Sequence, residues 1–405
     1  MRLLIYIGCF LLMIVTSSVS RRLHIEQVGL VSNIILLALA IVDVLMNSSK
    51  YGRGFIEEFR IIRTTLFIII PVNLIVGGAD FAKSTFFLTT SLILISIFLR
   101  TQKNEIKLRI QHVILIFFLL NSVLSIGEKV FQFNLFPYSY YNNDIEETIA
   151  MEGAFRSSAF LGHPLTNAVC ISIIMAFIII SNYKIIYKTA LLSLGFISLL
   201  CFNAKAAIII WVILLLFLIY YLLFKSKKKA SASFYLFLST AVILVITLVA
   251  KQGFGDRLLQ STLFDGSAQT RIDVFDAFDY VTSYDLWVGN PKSYLYITNK
   301  LDAGGVENSF IVLILEYGIP VSIFLIFLYT VWMRKLLRGI SRNVQILLLV
   351  SFIGLGSANN SLSTATPWIF FILCYNAFLP DLEKFIEVKK YSTYKKTATV
   401  KISSN

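Results

Sequence analysis

Long apolar runs recur along almost the whole chain and leave it few folds to adopt. They lie at residues 3–19, 25–46, 61–76, 84–99, 110–126, 165–181, 186–202, 206–224, 234–250, 310–333, 344–356 and 367–379. A helix needs about 20 apolar residues to cross the hydrocarbon core, and only a helix or a closed barrel satisfies its own backbone there. The runs predict an all-α polytopic membrane protein of about twelve transmembrane helices, one integral membrane domain over residues 1–405. Charged residues make up 15% of the chain, against about 25% in soluble domains, which argues against a secreted or soluble globule. The run at 344–356 is short, and residues 341–363 supply extra length. The first run follows a single Arg and has no clear small-residue cleavage site before Arg21 and Arg22. It reads as a retained helix, with a signal peptide as the alternative.

A formal net charge of +13 invites a nucleic-acid partner. Position argues for none, because the basic residues sit in short segments between apolar runs, as the positive-inside rule produces. With the N-terminus in the cytoplasm, most of the 36 Lys and Arg residues fall on the inner side. They cluster at 50–63, 100–109, 184–188, 225–229 and 334–342 and in a basic tail at 380–405. Both termini are therefore expected to be cytoplasmic, with the tail disordered or lying near anionic lipids. Cys9, Cys170, Cys201 and Cys374 all fall within apolar runs, with no spacing for a disulfide or a metal, and read as small buried hydrophobes.

This orientation places both long polar stretches, 127–164 and 251–308, on the outer side, where together they can assemble a site. In the first, an acidic patch precedes Arg156, which stands shortly before Gly162-His163-Pro164 at the mouth of the next run. Pro suits the first helical turn, and N–H groups at a helix start behind an Arg make an anion site. The alternative is Arg156 paired with Glu152 and His163 acting as a polar cap. Lys205 falls in an outer turn of only a few residues between two apolar runs. A charge so near the bilayer is a functional candidate, unless it merely snorkels to the interface.

In the second stretch, residues 268–278 read as a helix with Asp273, Asp276 and Asp279 along one face and Phe275 and Phe278 along another. The acidic row reads as a solvated face rather than a metal site. Tyr294 and Tyr296 alternate and either stack on a sugar ring or pack. Glu307 and Asn308 stand where the stretch becomes helix: Glu307 suits a general base toward a hydroxyl, and Asn308 suits a sugar contact or a helix cap. Walker, dinucleotide-binding, zincin and nucleophile-elbow motifs are absent. Only three His residues occur, which leaves no basis for a His metal centre. No cofactor or metal is expected.

Three segments together resemble the bacterial O-antigen polymerase and O-antigen ligase superfamily. They are Arg156 through Phe160-Leu161-Gly162-His163-Pro164-Leu165; Thr270-Arg271-Ile272 through Ala277 with Trp287-Val288-Gly289; and Glu307-Asn308-Ser309-Phe310 through Leu315-Glu316-Tyr317-Gly318-Ile319-Pro320. The short turn holding Lys205 resembles a place where that superfamily often carries a basic residue. The resemblance implies a fold like that of lipid-dependent glycosyltransferases (GT-C-like). It also implies glycosyl transfer at the outer face of the bacterial plasma membrane, from sugar chains carried on undecaprenyl pyrophosphate. Carried over, Arg156, Lys205 and Arg271 meet the pyrophosphate, His163 lies beside them, Glu307 is the base, and Asn308, Tyr294 and Tyr296 position sugar. A chain-length regulator and a flippase of the same pathway are the implied protein partners. Ligases tend to show a His near the position that Glu307 holds here, which favours a polymerase. The alternatives are a ligase that transfers the finished glycan, and a lipid-linked oligosaccharide flippase.

Overall fold

The computed structural model describes residues 2–24, 26–51, 55–136, 155–224, 274–290, 296–297, 306 and 308–385. Among them every extended regular element is a helix. In chain order these are α1 (Arg2–Ile14), α2 (Ser17–Arg22), α3 (Glu26–Met46), α4 (Ile56–Ala79), α5 (Phe81–Arg100), α6 (Asn104–Phe131), α7 (Pro164–Ile180) and α8 (Ile185–Cys201). They continue with α9 (Lys205–Phe224), α10 (Ser283–Val288), α11 (Ser309–Leu336), α12 (Arg342–Ser357), α13 (Ala365–Ala377) and α14 (Leu379–Phe385). Among the described residues, four helices (α4, α5, α6 and α11) are long and apolar enough to cross a membrane, and α13 with α14, bent by 61°, makes a fifth candidate. α1, α7, α8 and α12, with parts of α3 and α9, are apolar but shorter. The helical membrane architecture read from the apolar runs is present. The run at 234–250 and the tail beyond 385 lie outside the described residues.

Polar contacts sort the connections between helices onto two ends of the bundle. At one end Arg2 stands 3.8 Å from Glu105, and Lys50 pairs with Asp43 at 2.9 Å. There, too, Arg100 and Lys335 converge on Glu58, and Gln111 donates to Asp381 at 3.1 Å. At the other end the Thr16 hydroxyl donates to Phe160 O at 2.5 Å, Ser157 N to Cys201 O at 3.1 Å and Ser309 N to Asn359 O at 2.9 Å. The first group holds the segments that the Lys and Arg count puts together, and the second holds the described parts of both polar stretches.

The core is apolar and aromatic. Trp368 stacks on Tyr329 at 4.2 Å and meets Phe352 edge-on at 4.8 Å. Where α5 widens over Phe87–Ser91, the Leu88 carbonyl accepts from the Tyr329 hydroxyl at 2.8 Å. A buried side chain there satisfies a polar group that lipid could not. All four cysteines are buried and free, as their apolar surroundings predict.

α11 is not one straight rod. Gly318 takes φ +71°, and Pro320 follows it. Ser322 Oγ donates to Leu313 O at 2.7 Å, a separation of nine residues. Along a straight helix those positions lie about 13 Å apart, so the two pieces fold toward one another at Gly318. Residues 274–290 pack against the first piece. Val274, Ala277, Ile297, Val306, Ile311, Val312 and Leu315 form a second, smaller core.

Candidate functional site

Glu128, in the last turn of α6, organises the first polar stretch. It is buried, and its carboxylate accepts from Leu135 N at 2.9 Å, Ser158 N at 2.9 Å and Ala159 N at 2.8 Å. Two asparagines in neighbouring helices complete the cradle. Asn121 accepts from Phe160 N at 3.2 Å, and Asn167 donates to Ser158 O at 2.5 Å and His163 O at 3.0 Å. A loop pinned at successive residues by buried acceptors has one conformation, and Arg156 and His163 ride on it.

Arg156 donates from Nε to Phe202 O at 3.3 Å, while Ser157 N bonds Cys201 O at 3.1 Å. The Arg156 segment is thereby laid along the turn that carries Lys205. That turn is tight: Asn203 is buried and takes φ +54°, a conformation Asn tolerates better than most residues. The structure thus brings Arg156 and the turn that leads to Lys205 together. His163 is the residue before α7, with Pro164 in the first turn, and its side chain does not cap the helix. Burial, with a smaller push from the Arg156 charge, holds its imidazole down to about 3. A neutral imidazole beside a guanidinium can accept or donate a hydrogen bond but adds no charge to the site.

Lys205 opens α9 and lines a small groove of about 30 Å³. Leu165, Ala168 and Val169 of α7 form one wall, Ala204 to Ala207 a second, and Leu355, Ala358 and Asn359 at the end of α12 the third. Its lining is apolar except for Lys205 and Asn359. Asn359 ties this groove to the start of α11. Its carbonyl accepts from Ser309 N at 2.9 Å and Ser309 Oγ at 2.6 Å, and Ser309 Oγ accepts in turn from Leu362 N at 2.9 Å. Asn308, one residue away, is the N-cap of α11: its Oδ1 accepts from Phe310 N at 3.0 Å and Ile311 N at 3.3 Å. Of the two readings of Asn308, the cap is the one seen.

Among the other expected site residues, Tyr296 is exposed, while its neighbour Ile297 is buried in the small core. Arg271, Glu307 and Tyr294 lie outside the described residues. The described part of the expected helix at 268–278 is instead a 3-10 helix, Val274–Tyr280. Val274 and Ala277, three residues apart, are buried on one side and Phe275 is exposed. Asp276 and Asp279 are exposed, as a solvated face requires. Among the described residues no group of three or more His, Cys, Asp or Glu side chains is arranged to hold a metal.

Sequence reasoning missed Glu128 and Asn359. Each had a signal: a carboxylate inside the last turn of an apolar run, and a polar stretch, Asn359 to Ser363, set between two runs and read there as mere extra helix. No family model, curated protein or solved structure matches the chain.

Proposed function

We propose that the protein is a polysaccharide polymerase of the outer face of the bacterial plasma membrane, GT-C-like in its fold, with about twelve spans. It joins oligosaccharide repeat units carried on undecaprenyl pyrophosphate into a surface glycan. The observation that supports the reading is Arg156 laid along the turn that leads to Lys205, which itself lines a small, mostly apolar groove. A polyprenyl diphosphate suits that place: its diphosphate meets the cations and its apolar chain stays in the lipid beside them. In the reaction an acceptor sugar hydroxyl attacks the anomeric carbon of the donor chain. The bond from that carbon to the diphosphate oxygen breaks, the hydroxyl proton passes to Glu307, and undecaprenyl pyrophosphate departs. Arg156 and Lys205, with Arg271, meet the charge that develops on the leaving oxygen, where preorganised cations act most strongly. Asn308 caps the helix beside the groove, and Tyr296 is exposed to receive sugar.

The test is turnover of a synthetic lipid-pyrophosphate-linked repeat unit by the purified protein. The expected product is a ladder of joined units. Arg156→Ala is expected to slow joining by roughly 10²–10³, the cost of one donor removed from a developing anion. Transfer of a finished chain to a separate acceptor, without a ladder, would identify a ligase. Passage of intact substrate across vesicles, without turnover, would identify a flippase.

A further inference from the structure

Among the described residues Lys129 is the most deeply buried cation at this end of the bundle. It occupies the last turn of α6 and is 4% exposed. Its ammonium lies 3.4 Å from Phe155 O, the residue before Arg156, and its charge, opposed in part by that of Glu128, reaches the Cys201 thiol at the turn that leads to Lys205. The adjacent carboxylate, Glu128, is turned to the N–H groups of Leu135, Ser158 and Ala159. Successive residues on a helix do not face one another, so Glu128 is poorly placed to form a close ion pair with Lys129. Among the described residues Lys129 has no ion pair, and a single long bond to a carbonyl is poor recompense for an ammonium taken out of water. A buried charge so weakly compensated is a functional candidate.

We propose that Lys129 is a positioning cation that sits behind Arg156 and raises the positive potential of the Arg156–Lys205 site for a diphosphate ligand. The proposal rests on the polymerase reading and adds a residue to it. Lys129 does not touch the ligand. It holds the Phe155 carbonyl from behind and supplies a charge that partly dry surroundings screen weakly. The chemistry shared by the donor diphosphate and a lipid headgroup is a phosphate anion, and the inference commits to the diphosphate.

The experiment uses the full chain in nanodiscs of phosphatidylcholine, titrated with inorganic pyrophosphate and followed by calorimetry and by thermal melting. Wild type is expected to bind pyrophosphate, Arg156→Ala to lose it, and Lys129→Met to bind on the order of tenfold more weakly, as one nearby unit charge dictates. Lys129→Arg is expected to restore affinity. A purely structural lysine predicts that Lys129→Met melts lower. A cation held for its field predicts a melting temperature unchanged or raised, because removing a poorly compensated buried charge relieves the fold. Wild-type affinity in Lys129→Met, with loss in Arg156→Ala, overturns this inference and leaves the polymerase reading standing. A lowered melting temperature that Lys129→Arg does not restore also overturns it. No pyrophosphate binding by wild type overturns the anion site itself. Loss of pyrophosphate binding in nanodiscs containing phosphatidylglycerol assigns the site to a lipid headgroup and overturns the diphosphate assignment.

Discussion

Single residues at the loop end decide whether the site exists at all. Glu128→Gln keeps the shape but halves the acceptor set, since an amide oxygen replaces one carboxylate oxygen and an NH2 group confronts N–H donors. A buried N–H left without its acceptor costs about 1–3 kcal/mol. Glu128→Gln is therefore expected to melt several degrees lower and to lose most turnover while still inserting in the membrane. Normal melting in Glu128→Gln would show that the loop does not depend on the carboxylate. His163 makes a separate prediction in pH. Its imidazole is held near 3 when folded, against an ordinary value of about 6.5. The unfolded chain thus binds a proton that the folded one refuses. His163 contributes stability above about pH 6.5, and this is lost as pH falls from there toward 3. A melting-temperature profile of His163→Asn is expected to slope less steeply than wild type across that window. Parallel slopes would place the proton elsewhere.

At the scale of elements, the packing of α10 on α11 turns on two glycines. Gly289 ends α10 at φ +85°, and a Cβ there would stand 2.5 Å from Glu316 O; a Cβ on Gly318 would stand 2.4 Å from Trp287 O. The clashing atoms are backbone, which cannot rotate aside, and Asn290 N is bonded to Leu315 O at 3.0 Å between them. Gly78 provides the control. It has φ +81° but nothing within 4 Å of a built Cβ. Gly78→Ala meets only the backbone preference, about 1–3 kcal/mol, whereas Gly289→Ala or Gly318→Ala must also push two elements apart. Limited proteolysis is expected to cut Gly289→Ala and Gly318→Ala near 290 far faster than Gly78→Ala; equal rates would refute the close approach. The sequence marks these sites only as glycines followed by Asn-Pro or Ile-Pro. A positive φ is legible there, but the contact between two backbones distant in the chain is not. The 3-10 turn at Val274–Tyr280 was illegible for a related reason. Val274 and Ala277 are buried against Ile311, Val312 and Leu315 of α11, a surface distant in the chain that local periodicity does not record.

For the whole molecule, apolar length made the helical membrane character legible, because lipid excludes nearly every alternative. The site was half legible. Arg156 and Lys205 stood out as cations where lipid or a helix start makes charge expensive. Glu128 and Asn359 did not, because their role is to hold backbone from a distant segment, and periodicity carries no trace of that. The two-ended arrangement is the part that an experiment can reach without knowing the substrate. Glu105 and Arg338 are exposed at the end where Arg100 and Lys335 converge on Glu58, while Phe133 and Ser283 are exposed on the polar stretches. The four native cysteines are buried, so they give little background to a thiol reagent. Single cysteines at 133 and 283 are expected to react with a membrane-impermeant maleimide on intact cells. Cysteines at 105 and 338 are expected to react only after permeabilisation, since the positive-inside rule puts the Lys- and Arg-rich end in the cytoplasm. Reversal of all four would invert the protein and move the anion site to the cytoplasmic side, out of reach of an outward-facing donor. Labelling of 133 and 283 from opposite sides would separate the two polar stretches and end the case for a site built at one end of the bundle.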